Sequence, residues 1–360
     1  MTWTKPEYGR SQVDKAGHIL TDPQSTEEQT DNALNILSNW RSSHSYPMNT
    51  FQVRLRRESK KIDSSALVVQ RLKRVPSILK KLQRTQTKSM SLSQMQDIAG
   101  CRAVMQDVAK AYALSNVYKK SRGLKHKRVR EKDYIKEPKN DGYRGIHLVY
   151  KYKSDKITTY DGLQVELQIR SKIQHAWATS IEIVDLFTDQ AIKSNEGEQE
   201  WKDFFKLISS VFARMEGQPP VPDTPTDDVE LYERVKEKVS HLKIISKMTG
   251  WSDALKAIEP KIKELQFFLL ELDVTEGNEK LSIRGYPLEQ EPIATEHYVE
   301  AERLQNRNPN KDVVLVGAKS VEELRKAYLN YFADSKEFLQ LIQQYLQSGG
   351  KTRTETTVTV

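Results

Sequence analysis

LQVELQIR, residues 163–170, alternates strictly: Leu163, Val165, Leu167 and Ile169 face one way, Gln164, Glu166, Gln168 and Arg170 the other. Period two is the spacing of a strand with one face on a core and one face outward. Working outward, residues 145–152 alternate in the same manner, with Ile146, Leu148, Tyr150 and Tyr152 inward, and GCRAVM at 100–105 gives a third strand. A helix over 173–187 follows the Glu166 strand. Upstream, 25–121 reads mostly as helix: Leu34, Leu37 and Trp40 share a face, and a second helix is expected over 64–72 with Asp63 as its N-cap. Pro76 should interrupt that helix and a new one run from 77 to 84. Helices and strands sharing one core make the fold α/β (α+β), with a mixed sheet.

The 360 residues suffice for two or three modules. The stretch GQPPVPDTPTDD at 217–228 reads as a linker, followed by helices over 229–248 and 252–271 separated at Gly250. Strands are then expected at 280–286, 293–304 and 313–316, with a helix over 321–331 and a frayed tail. The boundaries are therefore 1–217, a connector at 218–272, a small ββ(β)α module at 273–334, and a terminal helix and tail at 335–360. Fifty-seven Lys and Arg against 49 Asp and Glu give a net charge of +8, a mild bias toward polyanionic partners. No apolar run approaches the ~18 residues of a membrane span. The single cysteine, Cys101, excludes an intrachain disulfide and a Cys-rich zinc site, and the expected compartment is the cytoplasm.

The outward faces carry the chemistry. Glu166, Gln168 and Arg170 make a row of carboxylate, amide and guanidinium, although a solvated face reads the same way. Asp97 stands at a strand mouth, where an acid holds a metal or simply turns the chain. Two carboxylates among many cations suit a magnesium-bound triphosphate. Arg71 and Lys73 share one side of an extended stretch, and Lys80 lies one helical turn on from Ser77. Arg122, Lys125, Lys127, Arg128 and Arg130 cluster ahead of a loop with Lys139, Gly142 and Tyr143, a pattern for an acceptor with phosphates and a flat base, or for a charged surface loop. No P-loop pattern is present, so side chains must hold any nucleotide.

Taken in order, RLKRVPSILKKL, DIAGCRAV, KDYIKEPKNDGYRGIHL, VELQIRS and HAWATSIE closely resemble the RelA/SpoT-type alarmone synthetase domain. The resemblance implies transfer of pyrophosphate from ATP to a ribose 3′-hydroxyl with release of AMP. It implies ATP-phosphate roles for Arg71, Lys73 and Lys80, an adenine-side role for Arg102, and magnesium at Asp97 and Glu166, with Glu166 also activating the hydroxyl. Tyr143 matches the acceptor-stacking tyrosine, and Lys139, His147, Gln168 and Arg170 match supporting contacts. Gly145 and Ile146 depart from the Ser-Leu of many guanosine-nucleotide synthetases.

The whole layout also resembles the CapRel type of fused toxin–antitoxin in anti-phage defence. That likeness implies a metal-free pseudo-zinc-finger module without zinc, and autoinhibition by Tyr328 and Tyr331, which spacing alone would place in a core stripe. It further implies a tRNA acceptor end as substrate, gripped by the Arg122–Arg130 cluster, and a phage capsid protein as trigger. Synthesis of (p)ppGpp or (p)ppApp from free nucleotides is the alternative.

Overall fold

The structure is a computed structural model and describes residues 3–84, 90–121, 124–188, 196–275, 279–305, 310–327 and 331–352. The chain forms two compact units, Met1–Tyr134 with Gly145–Ser171, and Ile135–Arg144 with Lys172–Val360. The first therefore ends at the close of the LQVELQIR strand rather than at the expected 217.

Unit one comprises α1 (Arg10–Ile19), α2 (Glu27–Ser43), α3 (Ser45–Ile62), β1 (Leu67–Leu72), α4 (Val75–Arg84), β2 (Ala99–Met105), α5 (Val108–Lys120), β3 (Lys127–Asp133), β4 (Ile146–Lys151) and β5 (Gln164–Ser171). The strands make a five-stranded sheet in the order β1-β2-β5-β4-β3, with β2 and β5 parallel and the other pairs antiparallel. Cys101, Ala103 and Met105 of β2, Val165, Leu167 and Ile169 of β5, and Ile146, Leu148 and Tyr150 of β4 are all buried on one face. Helix α3 covers that face with Phe51 and Leu55. The alternation read from the sequence therefore describes β4 and β5, and the short run GCRAVM lies in β2 beside β5.

The helix expected over 64–72 is instead strand β1. Its Val68 and Val69 suit a pleated edge, and the segment pairs antiparallel with β2, Val69 opposite Arg102 and Arg71 opposite Gly100. Asp63 ends α3 rather than capping a new helix. Its carboxylate accepts from Ser65 N and Oγ at 3.0 and 2.7 Å and from Gln106 N at 2.7 Å, with Lys110 Nζ at 3.6 Å.

Unit two holds the 135–144 loop, α6 (Lys172–Thr188), α7 (Glu196–Met215), α8 (Asp228–His241), α9 (Ile244–Ile258), β6 (Phe267–Asp273), β7 (Lys280–Tyr286), α10 (Glu291–Gln305), β8 (Lys311–Gly317), α11 (Ala318–Ala327) and α12 (Tyr331–Gln347). Its aromatic core joins Trp201, Phe204, Phe205, Trp251 and Phe338. Several expectations change here. The segment expected as a linker over 217–228 has no helix or strand over 217–227, Asp228 opening α8, and it is tied down: Val221 is buried, its amide donates to Ser210 Oγ at 2.9 Å, and Arg214 donates to the carbonyls of Pro225 and Thr226. The break between α8 and α9 falls at Lys243, which adopts a left-handed conformation at φ 50°, not at Gly250. Gly250 lies inside α9, where a Cβ would meet the Leu272 side chain at 2.5 Å, so its role is close packing.

The expected helix over 252–271 ends at Ile258, and FFLLELD becomes the central strand of an antiparallel sheet ordered β7-β6-β8. The expected strand over 293–304 is helix α10, whose Ala294, Tyr298 and Ala301 recur at helical spacing and pack on that sheet. The ββ(β)α outline is thus ββαβα. The expected helix over 321–331 divides into α11 and α12, and residues 353–360 of the tail lie outside the described residues. No helix among the described residues is long and apolar enough to cross a membrane.

Burial would raise the Asp63 pKa, but the bonds from Ser65 and Gln106 and the Lys110 charge hold it down to about 2. A depressed carboxyl stabilises the fold above its unfolded pKa, and that contribution is lost as pH falls through the folded value. Asp63→Asn should cost about 2 kcal/mol at pH 7, with the gap from the parent closing between about pH 4 and pH 2. Urea unfolding at stepped pH reads this directly, and a gap that stays constant down to pH 3 would contradict it.

Candidate active site

Directly paired residues on neighbouring strands share a face, so the register of unit one dictates what its outward face presents. Gly100 pairs with Arg71 on one side and Glu166 on the other, Arg102 pairs with Gln168, and Gln168 with His147, which pairs with Lys132 of β3. Arg71, Arg102, Glu166, Gln168, Arg170, His147 and Lys132 therefore share the polar face.

A continuous row of hydrogen bonds runs across β2, β5 and β4. Arg102 Nε donates to Gln168 Oε1 at 3.3 Å, and Arg170 Nη2 donates to the same oxygen at 3.4 Å. Gln168 Nε2 donates to Glu166 Oε2 at 2.7 Å, and His147 Nδ1 lies 2.9 Å from Glu166 Oε1. Tyr134 meets the His147 ring edge-on, with centroids 5.2 Å apart. Burial pushes the Glu166 pKa up, but the bonds and charge of His147 and the bond from Gln168 outweigh it, and the net direction is down. The Asp97 charge is a lesser upward push on Glu166, which puts the two acids within electrostatic reach of each other.

Asp97 stands just before β2. Lys73 Nζ lies 3.0 Å from its Oδ2 and Lys81 Nζ 2.9 Å from its Oδ1. Burial raises its pKa and the two lysine charges more than reverse that, so it too sits below the ordinary carboxylate range. Lys73 is fixed at its backbone: its amide donates to Ile98 O at 2.8 Å, and its carbonyl accepts from Arg41 Nε at 2.7 Å.

Most of the expected residues of unit one thus converge, with three differences. Lys80 is exposed on α4, and its neighbour Lys81 reaches Asp97 instead. Lys81 is four residues from Ser77 and Lys80 three, so helical spacing admitted both. The basic cluster is split by strand alternation and by a bulge between Arg128 and Arg130. Arg130 Nη1 donates to Gln96 Oε1 at 3.3 Å, beside Asp97, whereas Lys125 pairs with Asp155 and Arg128 lies 3.6 Å from Glu131. Lys127 is exposed opposite Lys151, and Arg122 lies outside the described residues. Arg41, Tyr134 and Lys132 were not read from the sequence. Only strand register reveals Lys132, and only the tertiary fold reveals Arg41.

Lys139 and Tyr143 belong to unit two, where Lys139 Nζ lies 4.7 Å above the Tyr143 ring. Their loop is pinned by Arg144, which is buried and donates to Ile135 O at 3.0 Å and Pro219 O at 2.6 Å, and by Ser209 Oγ, which donates to Gly142 O at 2.6 Å. Gly142 has φ +93° and a Cβ would meet Ser209 and Trp177 at 2.9 and 3.0 Å, so no other residue fits. Tyr331 is fully buried in the core of unit two, and its hydroxyl donates to Glu259 Oε2 at 3.3 Å. Tyr328 lies outside the described residues.

Among curated proteins the chain is similar to the GTP pyrophosphokinases YwaC and YjbM of Bacillus subtilis. It is 34% identical to YwaC over 113 residues (30% of this chain and 52% of the relative) and 35% identical to YjbM over 112 residues (31% and 52%). The chain thus spans about half the length of the curated relatives it matches. Among solved structures it is similar to small alarmone synthetase 1 of Bacillus subtilis bound to its product pppGpp, at 26% identity, TM-score 0.41, 48% of this chain and 89% of that one. Small alarmone synthetase 2 of the same organism gives 21% identity, TM-score 0.42, and coverage of 50% and 94%. A family model described as the region found in RelA / SpoT proteins matches residues 70–184. That stretch holds Arg71, Lys73, Lys81, Asp97, Arg102, Lys132, His147, Glu166, Gln168 and Arg170, so the whole polar-face site lies in what this chain shares with the RelA/SpoT proteins.

Proposed function

We propose that the chain is an ATP-dependent pyrophosphokinase that makes (p)ppGpp from a free guanosine nucleotide. One observation carries the reading: Glu166 is held ionised by His147 and Gln168 within electrostatic reach of Asp97 and its two lysines. The matched RelA/SpoT region and the names of the two curated relatives support it.

In this reading the acceptor 3′-oxygen attacks the β-phosphorus of ATP, the bond from that phosphorus to the α–β bridging oxygen breaks, and AMP leaves. Glu166 takes the hydroxyl proton, and His147 fixes the direction of its carboxylate by donating from Nδ1. Arg71, Lys73, Lys81 and Arg102 neutralise the phosphates and orient the donor, which is most of what phosphoryl-group transfer asks of a protein.

Asp97 and Glu166 fit magnesium as a carboxylate pair. No group of three or more His, Cys, Asp or Glu able to hold a metal occurs among the described residues, so the remaining ligands would come from phosphate and water. A bound ion would supply charge neutralisation on the phosphates.

A second reading places the 3′ end of tRNA as the acceptor, with Tyr328 and Tyr331 restraining the enzyme until a phage capsid protein binds. Its support is the Gly145-Ile146 departure and the exposed cations of β3.

Labelled ATP offered with GDP, GTP or deacylated tRNA separates the readings: label should enter the guanosine nucleotides, and label in tRNA alone would overturn the first. Glu166→Gln should lower kcat by about 10²–10⁴. Because the base works ionised and its pKa is depressed, the parent rate should hold down to the ordinary carboxylate range and fall only below it.

Lys81→Ala should lower kcat/KM for ATP by about tenfold or more, and Lys80→Ala by far less, as the loss of one charge-assisted contact predicts. Equal effects would remove Lys81 from the site. Tyr331→Phe should leave the basal rate unchanged and cost roughly 0.5–1.5 kcal/mol in stability. A several-fold rise in basal rate would instead favour the tyrosine restraint of the second reading.

A further inference from the structure

Unit one contains a second polar cavity that the pyrophosphokinase reading does not use. It has a volume of about 400 Å³ and lies between α3, the segment entering β3, and the turn after β4. Small-molecule sites begin at ~300 Å³, so this one has room for a nucleotide-sized ligand. Its wall includes Phe51, His126 and Tyr152, and its cations are Arg54, Lys125, Lys153 and Lys156.

We propose that this cavity is a second nucleotide-binding site, taking the base of a nucleoside phosphate beside the half-buried His126 ring, which the buried Phe51 and Tyr152 rings hold in place, and its phosphates on the surrounding lysines.

The rings form a continuous column: Phe51 and His126 have centroids 4.5 Å apart, and His126 stacks on Tyr152 at 4.9 Å. The His126 Nδ1 accepts from the Lys153 amide at 3.1 Å, so in that pairing the ring proton resides on Nε2. Burial pulls the His126 pKa below its usual value, which keeps the ring neutral at pH 7 and suited to stacking. Arg54 Nη2 donates to Ser121 Oγ at 2.9 Å, and its buried Nε has no hydrogen-bond partner.

The turn is built rather than loose. Asp161 accepts from Lys153 Nζ at 2.8 Å and Ser154 N at 2.9 Å, and Ser154 Oγ accepts from the amides of Lys156 and Ile157. The one carboxylate lining the cavity, Asp155, is paired with Lys125, so the lining retains a positive excess.

The site is separate from the catalytic face. Tyr152 lies five residues beyond His147, roughly 17 Å along an extended strand at ~3.3 Å per residue. Phe51 comes from α3 and meets Tyr150, a residue of the buried sheet face, with centroids 5.5 Å apart. Neither the ring column nor its cations occur on the polar face.

The test is photo-crosslinking of the full chain with 8-azido-ATP, followed by peptide mapping. Label is expected within 124–156 as well as on peptides of the catalytic face. Lys125→Glu with Lys156→Glu, two exposed positions, should lower the 124–156 label at least fivefold while the catalytic-face label persists, and Arg71→Ala should do the reverse. Lys156→Glu alone provides the check should the double variant fail to fold. Competition separates the ligand chemistry: AMP should displace the label, and inorganic tripolyphosphate should do so much less well. Label absent from 124–156, label there that is insensitive to both variants, or displacement by tripolyphosphate as effective as by AMP would overturn the proposal. Label at 124–156 with none on the catalytic face would leave it standing and count against the pyrophosphokinase reading.

Discussion

Everything on the polar face of the five-stranded sheet depends on one pairing, the parallel register of β2 against β5. It sets Gly100 beside Glu166 and Arg102 beside Gln168. A slip of one residue would turn the whole polar row into the core and bring Leu167 and Ile169 to the surface. The buried sides of both strands exact that register, because Cys101, Ala103, Val165, Leu167 and Ile169 all lose solvent together. Apolar burial of roughly 1.5–3 kcal/mol per large side chain therefore fixes the position of polar groups that contribute little to stability themselves. Gly100 adds a second consequence. A Cβ at this position would have only the Arg71 carbonyl nearby, at 3.8 Å, so the missing side chain leaves open space between Arg71 and Glu166.

How much of this was legible follows from where the information lies. β4 and β5 were readable because each keeps one face buried and alternates, whereas β2, buried at nearly every position, showed only as a short run. β1 was not readable: as an edge strand it buries little, and LVVQRL lacks a clean period, so the stretch after Asp63 was read as a new helix capped by that residue. FFLLELD failed for the opposite reason, since a central strand apolar on consecutive positions matches a buried helix equally well. Prolines signalled the absence of helix and strand over 217–227, but not that Ser210 and Arg214 would hold the segment in place. Composition reports what a segment cannot form, and its contacts come from elsewhere in the chain.

The site shows the same division. Glu166, Gln168 and Arg170 were visible as one face of one strand, and Asp97 through its position before another. Lys81 and Lys132 needed three-dimensional register, and Arg41 acts through the Lys73 backbone, a contact with no local sequence signal. Tyr331 illustrates the limit of motif reasoning. Its spacing from Tyr328 suits a restraint and a core stripe alike, and its burial with Glu259 is the behaviour of a core residue in unit two.

Gln168 explains how so many charges can share one face. Arg102 and Arg170 both aim at its oxygen, and Glu166 receives its amide hydrogens. An amide accepts from guanidinium groups through its oxygen and donates to a carboxylate through its nitrogen at once, so its neighbours dictate its orientation. A carboxylate at this position would satisfy the arginines but repel Glu166 and raise its pKa, which weakens the ionised base. A lysine would satisfy Glu166 and repel the arginines. The neutral residue between acid and cations thus keeps Glu166 ionised without spending the arginines on it. Two guanidinium groups then share one amide oxygen on this face, where phosphates would need them.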